Sequence, residues 1–138
     1  MKEIESYHFD GIGYRPLVIR EGWQVAKLNH LPGHGYDEID KMECHNRTDE
    51  VFILLRGQAA LITAPPPPAA NTFSVTTMVP STFYNVPAGC WHNIALSSDA
   101  ELVIVEKDNT HVTDVSYHYL DAEARQTLKD QLTGSKAP

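Results

Sequence analysis

The chain is poor in cysteine and in positive charge, and it has no long apolar stretch. Of its 138 residues only Cys44 and Cys90 carry thiols, and no apolar run exceeds the five residues Val51-Phe52-Ile53-Leu54-Leu55. A membrane helix needs roughly 20 such residues in a row, so no segment qualifies as one and no membrane partner is expected. Lys and Arg number 11 against 18 Asp and Glu, a formal net charge of −7, and the basic residues stand singly. Without a basic stripe, a nucleic-acid backbone is not an expected partner either. The opening Met1-Lys2-Glu3-Ile4-Glu5 has neither a basic n-region nor an apolar h-region, so the expectation is a cytoplasmic protein with reduced thiols. Internal repeats, phosphate-cradling glycine loops and a nucleophile spaced beside a base are also missing.

What is present is strand material. The chain is 42% hydrophobic and 21% charged, the balance of a single globular domain over residues 1–138. Trp23 to Leu28, Glu50 to Leu55, Ala59 to Thr63, Phe73 to Val79, Phe83 to Val86, Glu101 to Glu106 and Val112 to Tyr117 are β-branched or aromatic runs between turn residues. This spacing predicts an all-β barrel or sandwich with its core over about residues 15–118. Pro65-Pro66-Pro67-Pro68 cannot donate to a ladder and reads as a stiff loop between two strands. Val51 to Leu55 and Leu102 to Val105 are apolar on both faces. One face is expected to be the interior, the other to pack on a second sheet or another subunit, with a homodimer as the expected assembly. Leu120, Ala124, Leu128 and Leu132 recur every fourth residue, predicting one C-terminal helix over about 120–132.

The chemistry concentrates in Glu43-Cys44-His45-Asn46-Arg47-Thr48-Asp49-Glu50. Side chains alternate along a strand, so Glu43 and His45 share a face while Cys44 points away. Glu50 is in phase with Phe52 and Leu54, assigned to the interior. A fourth group, His92, follows the turn built by Pro87 and Gly89. Two imidazoles and two carboxylates suit one divalent transition metal, Fe, Mn, Ni or Zn, better than Ca, and leave coordination positions for water or substrate. The competing reading is a polar cavity without metal. It is disfavoured because two enclosed carboxylates need protons or a cation, and no Lys or Arg is an obvious interior partner. A Cys2His2 zinc site from Cys44, Cys90, His45 and His92 is disfavoured because adjacent strand residues face opposite ways. His34, in the Gly-rich loop after His30, is a candidate acid or base over the barrel mouth. Trp23, Phe52 and Tyr84 are candidate pocket walls.

These residues resemble the two signature motifs of the cupin superfamily. Glu43, His45, Glu50 and Gly57 match the first, and Pro87, Gly89 and His92 the second, with 29 residues between Gly57 and Pro87. The departures are Glu43 where the family usually has His, and Asp37, Ser81 and Leu96 at other motif positions. The resemblance implies an antiparallel jelly-roll (double-stranded β-helix) barrel. It also implies a metal-dependent enzyme acting on a small polar, sugar-like or oxo-acid metabolite: an isomerase or epimerase, a lyase or a dioxygenase. Glu43 or Glu50 would then alternate between coordination and proton transfer. A non-catalytic small-molecule-binding module and a metal-free structural dimer are the alternatives.

Overall fold

A computed structural model describes residues 2–135. The order of elements is β1 (Tyr14–Arg20), β2 (Trp23–Asn29), β3 (Lys41–Cys44), β4 (Glu50–Arg56), β5 (Ala59–Ala64), β6 (Ser74–Thr77), β7 (Phe83–Val86), β8 (Trp91–Leu96), β9 (Glu101–Glu106), α1 (Thr110–Thr113), β10 (Ser116–Tyr119) and α2 (Ala122–Ser135). The strands form two five-stranded antiparallel sheets, β1-β2-β9-β4-β7 and β10-β3-β8-β5-β6, in a jelly-roll arrangement.

Period-two alternation places the core. Ala26 and Leu28 of β2, Phe52 and Leu54 of β4, Leu102 and Ile104 of β9 and Leu61 and Ile94 of the opposite sheet fill the space between the sheets. Each of the Leu, Ile and Phe side chains among them stabilises the fold by about 1.5–3 kcal/mol through burial. A second cluster lies outside the β10-β3-β8-β5-β6 sheet, where Leu120, Ala124, Leu128 and Leu132 pack on Met42, Ala60, Ile62 and Ala95. The helical stripe therefore covers that outer face. Between β4 and β5 the chain turns at Gly57, with φ +77°, where an added Cβ would lie 2.7 Å from Ala100 Cα. Only glycine fits this turn.

Among the described residues no helix covers the other sheet, and the segment before β1 reaches only its β1-β2 end, where Phe9 O accepts from Lys27 Nζ at 3.2 Å and Arg15 lies over the Phe9 ring. The outer face of this sheet carries two aligned rows across neighbouring strands. Val18, Val25, Val105, Val51 and Asn85 form one; Arg15, Lys27, Val103, Ile53 and Phe83 form the other. Among the described residues these apolar groups stay half-buried or exposed, Phe83 being 73% exposed, so the outer faces of β4 and β9 do not pack on a second sheet of the same chain.

Three expectations about elements need correction. Val112 to Tyr117 is not a strand throughout: Thr110–Thr113 is a helical turn and the strand is Ser116–Tyr119. Asn109 takes a left-handed φ of 59°, and the Thr110 hydroxyl donates to Lys107 O at 2.6 Å, local bonding that overrides the β preference of Val112 and Thr113. β1 was not anticipated because Pro16 interrupts it; it is an edge strand whose register shifts between Pro16 and Val18. The C-terminal helix begins at Ala122, after Asp121 Oδ1 accepts from Ala124 N at 2.8 Å, and runs through Gly134. Among the described residues no helix is long and apolar enough to cross a membrane.

Candidate metal centre

Four side chains meet at one end of the space between the sheets. Glu43 of β3 lies directly across from His92 of β8. His45 follows β3 by one residue, and its carbonyl is held by Gly89 N at 2.7 Å, which joins the two motif turns. Glu50 opens β4 in the opposite sheet. One potential ligand atom from each lies within 4.8 Å of the other three. His92 Nε2 is 2.9 Å and His45 Nε2 3.4 Å from Glu50 Oε1, while Glu43 Oε1 is 3.7 and 3.9 Å from the same two nitrogens. His45, Glu50 and His92 are buried; the Glu43 side chain is 29% exposed and forms the open side.

The orientation of the imidazoles is set by main-chain carbonyls. His45 Nδ1 is 2.7 Å from Asp114 O, and His92 Nδ1 is 2.9 Å from Cys90 O. A carbonyl only accepts, so each Nδ1 carries the hydrogen and each Nε2 is turned to the centre, as metal-binding histidines are held. Asp114 is itself fixed, its carboxylate accepting from Asn46 N at 3.0 Å and Arg47 N at 2.8 Å.

Charge balance is the governing constraint. Burial alone would pull the His45 imidazole down, but the hydrogen bond and charge of Glu50 outweigh it and hold it up at about 9. His92 is raised for the same reasons. Burial pushes Glu50 up, but hydrogen bonds from both histidines prevail and keep it well below the usual carboxylate range. Protons on the imidazoles therefore occupy the role a cation would take. A 2+ ion bound to two neutral imidazoles and two carboxylates restores the same balance, and the N/O donor set fits a divalent transition metal.

A second layer lies alongside. Tyr14 donates to Glu106 Oε1 at 2.7 Å, and Gln24 Nε2 reaches Tyr14 Oη at 2.8 Å, Glu106 Oε1 at 3.2 Å and His111 Nδ1 at 3.2 Å. Glu106 Oε2 is buried and meets no donor. Burial and the nearby Glu50 carboxylate push the Glu106 carboxyl up to about 8; a proton shared with Glu50 removes the deficit. Glu43, His45, Glu50, His92 and Glu106 all line a cavity of about 260 Å³, with Phe52, Leu28 and Ile104 as apolar walls.

The four ligand candidates are thus brought together, and His34 and Phe52 line the same cavity. His34 Nδ1 lies 3.0 Å from Ile94 O. Trp23 and Tyr84 do not line it. Trp23 is half exposed, and the Tyr84 hydroxyl accepts from Val79 N at 2.8 Å. Cys44 and Cys90 are free thiols, and the Cys44 thiol faces His45 O and Asn46 Oδ1 rather than the cluster. Glu106, Tyr14, Gln24, His111 and Asp114 were missed. Glu106 had a legible signal, being in phase with the inward Leu102 and Ile104.

No family model and no curated protein matches the chain. Solved structures do. A Streptomyces PAC13 variant with uridine is similar with a TM-score of 0.58 at 13% identity, over 90% of this chain and 97% of that one. A cupin-2 domain containing protein from Shewanella frigidimarina matches with a TM-score of 0.53 at 18% identity, over 72% and 84%. BH2720 from Bacillus halodurans matches with a TM-score of 0.54 at 15% identity, over 84% and 83%. At these identities the likeness shows the fold. The chain has the cupin fold.

Proposed function

We propose that the chain binds one divalent transition metal through Glu43, His45, Glu50 and His92 and uses it in proton-transfer chemistry on a small polar metabolite. The observation that carries this reading is the donor cluster itself: four ligand atoms within 4.8 Å of one another, with both imidazoles turned inward by carbonyl acceptors. When bound, such an ion supplies a Lewis acid for a carbonyl or hydroxyl and acidifies bound water. Glu50, His45 and His92 hold the centre from the buried side. Glu43, on the open side, would help to hold the ion or accept a proton. Glu106, neutral below about pH 8 and braced by Tyr14 and Gln24, is an acid at a cavity wall suited to protonating a leaving hydroxyl or an enolate. His34 supplies a further donor or acceptor. Isomerisation, epimerisation or elimination on a sugar-like or oxo-acid substrate matches this inventory, and one fold neighbour, Pac13, is a nucleoside dehydratase.

Elemental analysis of protein purified without added metal, beside His45→Ala and His92→Ala, tests the centre. Near-stoichiometric metal in the parent and loss in both variants is expected; equal metal content in all three sinks the reading. A metabolite screen by thermal shift, followed by product analysis of the hits, separates an enzyme from a binding module. A second reading is supported by the 2.9 Å contact between His92 Nε2 and Glu50, which requires a proton on that nitrogen: a metal-free acid–base site. Turnover that survives exhaustive chelation, with no metal by analysis, selects it.

A further inference from the structure

We propose, on the reading of this cavity as the substrate site, that Lys41 at its mouth binds a carboxylate of the substrate. The substrate is then a hydroxy acid or sugar acid, held by its charged end away from the reacting carbon. Among the described residues that line the cavity, Lys41 is the only Lys or Arg. It lies two positions before Glu43 on β3. Alternation puts both on the inner face, while Met42 between them belongs to the cluster under α2. One short strand therefore carries a metal-ligand candidate and, one step along the same face, a cation.

The main chain at Lys41 is fixed from three sides. Its carbonyl accepts from Asn93 Nδ2 at 2.8 Å, Asp40 O accepts from Leu120 N at 2.9 Å, and Lys41 pairs with Tyr119 in the β10 register. The ammonium it carries has no acidic partner. Arg20, Lys27 and Arg56 are each paired with Glu5 or Glu101, whereas among the described residues no carboxylate pairs with Lys41. Its Nζ lies instead over the Tyr117 ring at 4.7 Å and the Tyr119 ring at 5.8 Å. Ring faces attract an ammonium without cancelling its charge, and Tyr117 lines the same cavity.

Charge then names the missing partner. Glu43 and Glu50 are matched across the centre by imidazole protons or by a 2+ ion, which leaves the Lys41 charge uncompensated at the cavity wall. A ligand carboxylate brings one negative charge and accepts a charge-assisted hydrogen bond from Nζ. A phosphate monoester carries nearly two; with no second Lys or Arg among the lining residues, the surplus would face Glu43. Size points the same way. At about 260 Å³ the cavity falls below the usual range for drug-sized ligands. Two residues along a strand separate Lys41 from Glu43 by about 7 Å, a span suited to an acid of roughly four to six carbons.

Isothermal titration calorimetry on the full chain as purified tests this with gluconate and glucuronate, their neutral counterparts sorbitol and glucose, and glucose 6-phosphate. The acids are expected to bind, and the neutral compounds to bind at least about tenfold more weakly. Lys41→Met is expected to weaken acid binding about 10- to 100-fold, the loss of one hydrogen bond between charged groups. Lys41→Arg is expected to restore most of it. Lys129→Met, on α2 away from the cavity, is expected to leave it unchanged. Circular dichroism establishes that each variant is folded, and the comparison of acids with neutral compounds in the parent needs no variant at all. Elemental analysis of the same samples keeps the anion site and the metal centre apart. Lys41→Met is expected to hold as much metal as the parent, and a metal-free parent that still binds the acids through Lys41 removes the ion but not the anion site. Equal affinity for acids and neutral compounds, no binding of either acid, or a preference for the phosphate overturns the proposal. So does acid affinity undiminished in folded Lys41→Met, or lost there only together with metal.

Discussion

Metal uptake is expected to be coupled to proton release, and the size of the coupling follows from His45. Its imidazole moves from an ordinary value of 6.5 to about 9 in the folded protein, which corresponds to about 3 kcal/mol in favour of the charged form. The sign for the metal-free protein is clear: this stabilisation is fully present below about pH 6.5 and is lost as pH rises through about 9. A metal needs the neutral imidazole. At pH 7 about one His45 in 100 is neutral against about one in two at pH 9, so apparent affinity there is about 50-fold below its value at pH 9 from this residue alone. His92, also raised, adds a second proton. Affinity is therefore expected to rise between about tenfold and 100-fold per pH unit from pH 6 to 8, with one to two protons released per ion. Isothermal titration calorimetry in buffers of different ionisation enthalpy counts those protons directly. An affinity that is flat over this range, with no proton released, refutes the charge-balance argument.

Three further outcomes are expected. Asp114→Ala removes the acceptor that fixes Asn46 N and Arg47 N and loosens the carbonyl that aims His45; chelator competition should show metal affinity reduced about 10–100-fold with the fold retained. Glu106→Gln should flatten the loss of stability of the metal-free protein between about pH 5 and 8. The raised Glu106 carboxyl keeps its proton in the folded state, so ionising it as pH rises costs stability that Gln does not lose; urea unfolding at several pH values measures this. Leu102→Ala, at a fully buried position between the sheets, should cost about 2–5 kcal/mol in the same assay, and a cost under about 1 kcal/mol would contradict the packing described.

Much of the barrel is legible from local rules. The runs at β4, β5, β7 and β9 show their strands because β-branched residues alternate between turn residues, and the Leu/Ala stripe shows α2. β1 is obscured by Pro16, and the helical turn at Thr110–Thr113 by β-branched residues whose local hydrogen bonds decide otherwise. The four-residue cluster is legible because alternation puts Glu43 and His45 on one face and Glu50 in phase with Phe52. The groups that aim and surround it are harder to read. Asp114 reaches His45 across 69 positions, a distance no local pattern spans. Tyr14 meets Glu106 only because β1 and β9 share a sheet. Trp23 looks like a pocket wall by composition, yet its place on the outer face depends on a register fixed by pairing with β1.

Glu50 belongs to one sheet, whereas Glu43 and His92 belong to the other and His45 follows directly from it. Whatever positive charge settles among them is thus a rivet through both layers of the jelly-roll. On the proposed reading, loss of the ion hands that role to protons on His45 and His92, so emptying the site loosens the barrel only where pH rises through the point at which those protons leave. If the proposed ion is bound, any change that tunes how readily the centre would release it also resets the temperature at which the two layers part.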